Sequence, residues 1–137
     1  MRLFRPVGVQ ELALIAASGY TAFPPRLPHQ PIFYPVLTYV YAEGIAKNWN
    51  TEDEASGFAG FVTSFEVADE YIDKFDVHVV GGRDDRELWI PADDLPNFNR
   101  NIIDHISIEA SFYGARFAAR VDTATRLPVG LGRPPVT

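Results

Sequence analysis

Few residues in this chain pair a reactive side chain with a position that packing alone would not choose. Glu87 follows the charged turn Arg83-Asp84-Asp85-Arg86 and opens the run Leu88-Trp89-Ile90 ahead of Pro91-Ala92. Alternation makes it the first residue of a strand, its carboxylate at a sheet rim on the same face as Trp89. A carboxylate so placed stabilises the positive charge that develops at an anomeric carbon as a leaving group departs. Arg5, in Leu3-Phe4-Arg5-Pro6-Val7, faces opposite to Phe4 on a first short strand. It reads either as a solvated strand arginine or as a fork of donors for a phosphate or a ribose hydroxyl. Tyr34, on a second strand, is either core or a ring for stacking a flat ligand. With Arg26 and Asn50 on intervening loops, these residues describe a dinucleotide cleft: an arginine for a diphosphate, an aromatic ring for a planar base, a carboxylate for a ribose hydroxyl.

Other constellations carry less. There is no G-x-S-x-G elbow, and the three histidines lie on a loop and on two strand faces. His29, in the loop, reads as an incidental surface residue. Gly81-Gly82 supplies a turn but lacks the spacing and the following lysine of a phosphate-binding loop. Eighteen acidic residues always offer pairs, so a two-carboxylate site follows from abundance alone.

The elements that must position these residues follow from periodicity. After the strand at 3–7, Val9, Leu12, Ile15 and Ala16 recur at helical spacing, and Gly19 caps the helix. Four of the eleven prolines crowd into residues 20–31, which excludes both a helix and a central strand there. Residues 32–37 form a strand that Pro35 places at an edge or breaks with a bulge. Ala42, Ile45, Ala46 and Trp49 give an amphipathic helix, and Glu52-Asp53-Glu54 then reads as a solvated acidic turn. Residues 58–67 and 105–113 alternate as strands, with a helical turn at 68–74 and a strand at 75–80 between them. Pro91 is expected in the first turn of a helix containing Leu95 and Phe98.

This order predicts an α+β fold in one domain over 1–122, with a mixed, mostly antiparallel sheet and two to four short helices. Residues 123–137 are expected to form an extended, frayed tail. At 137 residues and 47% hydrophobic content the chain can bury one core unaided. The net charge of −6 offers no basic face for general nucleic-acid binding, while leaving room for a small anionic ligand held by one or two arginines. No cysteine is present, no metal is expected, and no apolar run approaches the roughly 18 residues of a membrane span. The start Met1-Arg2-Leu3-Phe4-Arg5-Pro6 lacks a signal peptide's apolar stretch, so a cytoplasmic location is expected. Edge strands and exposed aromatics leave room for a homodimer.

Five segments together resemble a family of short bacterial proteins that carries an ADP-ribosylation/crystallin label. They are Leu3-Phe4-Arg5-Pro6-Val7-Gly8, Phe23-Pro24-Pro25-Arg26, Pro31-Ile32-Phe33-Tyr34-Pro35-Val36, Ile45-Ala46-Lys47-Asn48-Trp49-Asn50 and Glu87-Leu88-Trp89-Ile90-Pro91-Ala92. The element order is also similar to the ADP-ribosyltransferase fold. That resemblance implies NAD as substrate, with Arg5 on the ribose or phosphate, Tyr34 against the nicotinamide and Glu87 as the catalytic carboxylate at the ribose hydroxyl. It differs in lacking a Ser-Thr-Ser second strand, and Pro35 follows the tyrosine directly. Two functional classes follow: an ADP-ribosyltransferase-like enzyme or NAD glycohydrolase, and a non-catalytic module that binds a nucleotide or protein segment in the same cleft. An acidic toxin or immunity component is a third.

Overall fold

The computed structural model describes residues 1–136, which form a single α+β domain. Strand β1 (Arg2–Val7) buries Leu3, Arg5 and Val7 on one side of the sheet and turns Phe4 to the other, so the expected alternation holds. Helix α1 (Val9–Ala17) follows directly and buries Leu12 and Ile15. Residues 20–31 have no regular structure, although Tyr20 and Phe23 within them enter the main core.

Strand β2 is only Ile32–Phe33, which pairs with β6 (Ile90–Pro91). Three residues later Val36 bridges Phe4 on one side and Glu87, in β5 (Arg86–Leu88), on the other. The missing Pro35 N–H removes a rung of this ladder. The run at 32–37 therefore survives as two pieces around a break at Tyr34 and Pro35: Ile32–Phe33 pairs with β6 alone, while Val36 lies between two neighbours. Pro35 still accepts a hydrogen bond from the Leu88 N–H at 2.9 Å.

Helix α2 (Tyr39–Asn48) is capped by the Thr38 side chain, which accepts from the Tyr41 N–H. It buries Ala42 and Ala46 against Val36 and Val62. Its close seat depends on Gly60, where an added Cβ would lie 2.3 Å from the Ala46 carbonyl oxygen. Strand β3 (Ala59–Val67) is central, between β1 and the long β7 (Ile102–Tyr113), and is buried on both faces except at Glu66. Helix α3 (Asp69–Ile72), strand β4 (Val77–Val79) and helix α4 (Leu95–Arg100) complete the chain. Every strand pairing among the described residues is antiparallel. The main core, on the sheet face opposite α2, gathers Phe23, Phe33, Phe65 and Phe98 in edge-on and tilted contacts.

Three expectations are corrected. Pro91 is a strand residue opposite Ile32, and Pro96 takes the first helical turn of α4. The ladder with β2 holds Pro91 extended, as the N-cap of a 3-10 turn at Ala92–Asp94 that leads into α4. Trp49, placed on the apolar stripe of α2 by spacing, sits at its C-cap and is 59% exposed. The tail is not frayed throughout: Val121 bridges Pro128, Leu127 is buried in the main core, and Tyr20 Oη donates to the Gly132 carbonyl. No helix among the described residues is long and apolar enough to cross a membrane.

Candidate functional site

Two adjoining compartments of about 410 Å³ and 560 Å³ open beside the break at Tyr34 and Pro35, and Arg5, Pro6, Tyr34 and Ile45 border both. Val36, Glu87 and Trp89 complete the first. Arg26, Asn50, Asp53 and Trp49 help line the second. All five residues singled out from the sequence thus border one or other of these two compartments, with Arg5 and Tyr34 lining both.

Glu87 is not the rim residue that alternation suggested. It is the middle residue of β5, opposite His78 of β4 and bridged to Val36. Val36 belongs to the cluster under α2, so Glu87 points to the α2 side. There Tyr41 Oη donates to its Oε2 at 3.1 Å, and Trp89 Nε1 donates to its Oε1 at 2.8 Å. Trp89 stacks on His78 with ring centroids 3.7 Å apart and planes 4° from parallel. It also meets Tyr34 edge-on at 6.5 Å. Burial, then the bond to Glu87, pushes the Tyr41 phenol up to about 12, so it remains a donor throughout the neutral range.

Arg5 projects from the opposite sheet face and reaches the cleft because the sheet is interrupted beside it. It is not the solvated arginine of one reading: it is 8% exposed. Its Nε and Nη2 donate to the two Glu11 oxygens at 2.7 and 3.0 Å, and Nη1 donates to the Tyr34 carbonyl at 3.2 Å. The guanidinium also lies over the Phe33 ring, 4.5 Å from its centroid. Tyr34 falls just beyond β2 and is 39% exposed.

Arg26 differs from Arg5 in having donors to spare. Its Nε donates to the Ile32 carbonyl at 3.0 Å, while its terminal nitrogens have no partner among the described residues. Burial and the neighbouring Arg5 charge lower its pKa. Glu11 pairs with Arg5 and not with Arg26, so the second guanidinium here keeps donors open, an arrangement suited to an anion.

Asn50 is 5% exposed and opens the turn after α2. Its Nδ2 donates to Ser56 Oγ at 2.9 Å, and Ser56 donates to Asp53 Oδ2 at 2.7 Å. The Asn50 Oδ1 is buried without a partner among the described residues. Asp53 is accordingly a cleft residue and not part of a wholly solvated acidic turn, although Glu52 and Glu54 are exposed.

Sequence reasoning missed Tyr41, Glu11 and Asp53. Tyr41 and Glu11 sit on helices whose periodicity speaks only for their apolar faces, and Asp53 lies in an acidic run. No group of three or more histidine, aspartate or glutamate side chains among the described residues could hold a metal ion. Comparison of the chain with family models, curated proteins and solved structures returned no match in any of the three.

Proposed function

We propose that this protein is an NAD-using, ADP-ribosyltransferase-like enzyme whose substrate occupies both compartments of the cleft. The observation that carries this reading is that Arg5, Tyr34 and Glu87, widely separated in sequence, border one compartment. The nicotinamide riboside half enters beside Tyr34, Trp89 and Glu87. The diphosphate lies toward Arg5 and Arg26, and the adenosine end takes the second compartment, near Trp49.

In the reaction, the bond from the ribose anomeric carbon to the nicotinamide nitrogen breaks, and its electron pair leaves with nicotinamide, discharging the pyridinium. Glu87 accepts from a ribose hydroxyl and stabilises the positive charge that develops on the sugar. A lone pair of the acceptor, or of water in the glycohydrolase case, forms the new bond to that carbon and its proton passes to solvent. No oxidant or reductant is needed.

The two tryptophans provide the test, because one lines each compartment. Trp49→Phe leaves Trp89 as reporter of the first, and Trp89→Phe leaves Trp49 as reporter of the second. NAD is expected to change the fluorescence of both variants, and nicotinamide to change only that of Trp49→Phe. Glu87→Gln is expected to abolish nicotinamide release while retaining binding. Binding by wild type and Glu87→Gln with no nicotinamide release from either supports the non-catalytic module. Absence of any response to NAD or ADP-ribose overturns the nucleotide reading.

A further inference from the structure

We propose that Tyr41 is a positioning residue for this reaction, fixing the Glu87 carboxylate from the far side of the site. The inference rests on the ADP-ribosyltransferase-like reading. Tyr41 borders neither compartment, yet its hydroxyl is 3.1 Å from Glu87 Oε2. On the other oxygen, Trp89 Nε1 donates at 2.8 Å, and Trp89 is itself held by its stack on His78. The carboxylate is therefore gripped at both oxygens by donors from two elements, the helix α2 and the step between β5 and β6. Each oxygen keeps acceptor capacity beyond the bond it already makes, so a ribose hydroxyl can still donate to it.

The consequence separates Tyr41 from an ordinary buried tyrosine. Because it does not touch the cleft, its loss leaves ground-state contacts with NAD in place. The charge that Glu87 must meet exists only as the glycosidic bond breaks, so a carboxylate free to turn is felt in the transition state. An interaction expressed only there lowers kcat and leaves KM alone. Trp89 shares the orienting task, but it also lines the compartment, so its loss affects both constants.

The experiment compares wild type, Tyr41→Phe and Trp89→Phe in nicotinamide release from NAD, with ADP-ribose affinity measured by calorimetry and folding checked by thermal midpoint. Tyr41→Phe is expected to reduce kcat on the order of tenfold, with KM and ADP-ribose affinity within about twofold of wild type. Trp89→Phe is expected to reduce kcat and raise KM together. Wild-type kcat in Tyr41→Phe overturns the inference and leaves the enzyme reading intact. So does a drop in kcat accompanied by an equal loss of ADP-ribose affinity, the mark of a structural role. If wild type itself releases no nicotinamide, the enzyme reading falls and takes the inference with it.

Discussion

Arg5 and Glu11 are joined by two roughly parallel bonds, Nε to Oε2 at 2.7 Å and Nη2 to Oε1 at 3.0 Å, where the two compartments meet. The pair is partly desolvated, with side chains 10% and 23% exposed. Removing the acid leaves a guanidinium with little water beside a second one. Glu11→Gln is expected to lower stability by about 3 kcal/mol, read by chemical denaturation. The same change deletes the only carboxylate paired with Arg5 among the described residues, so ADP-ribose affinity is expected to rise severalfold in calorimetry. Opposite signs for stability and affinity distinguish an anion-binding junction from a purely structural pair.

Arg26 predicts the reverse. Its terminal nitrogens have no partner among the described residues, where substitution removes the Nε bond to the Ile32 carbonyl. Arg26→Gln is expected to cost about 1 kcal/mol of stability. If its free donors meet the diphosphate, ADP-ribose affinity falls by about tenfold or more. An unchanged dissociation constant assigns the cleft's anion contact to Arg5 alone.

Two glycines near α2 give a stability test independent of function. At Gly60 an added Cβ lies 2.3 Å from the Ala46 carbonyl oxygen, so Gly60→Ala forces the helix off the sheet. A loss of about 3 kcal/mol or more is expected. At Gly44, inside α2, an added Cβ meets nothing within 4 Å. Gly44→Ala is expected to gain about 0.5–1 kcal/mol through helix propensity. Denaturant midpoints of the two variants should move in opposite directions.

Tyr71 Oη donates to Asp94 Oδ2 across the gap between α3 and the turn before α4. That bond, followed by one from Asn97, holds the Asp94 carboxyl below the usual range. A depressed folded-state pKa adds stability that is fully present above the unfolded value, about 3.9, and lost as pH falls through the folded one. Tyr71→Phe is expected to be about 1–2 kcal/mol less stable than wild type at pH 6. The difference should shrink as pH is lowered toward 3, measured by urea denaturation across that range.

Local periodicity was a good guide wherever one face of an element alone carries the signal. The apolar spacing of Val9, Leu12, Ile15 and Ala16 predicts a helix, and α1 spans Val9–Ala17. Alternation in 58–67 predicts a strand, and β3 spans Ala59–Val67. The same reasoning misplaced Trp49, since spacing cannot tell that α2 ends one residue before it, leaving its ring at the cleft. It also made Pro91 a helix residue because a proline suits a first helical turn as well as it suits a short paired segment, and only Ile32 across the ladder decides between them.

The sequence by itself determined the α+β class and the antiparallel bias, because these follow from period, turn chemistry and residue type over a few neighbours. Only the tertiary structure decided what the side chains meet. It pairs Arg5 with Glu11, gives Glu87 a donor from Tyr41 on a distant helix beside the one from nearby Trp89, leaves Arg26 with open donors, and docks Leu127 in the core. Such partnerships depend on which faces of separate elements pack together. A side chain's period records that it faces inward or outward, and carries no record of its neighbour.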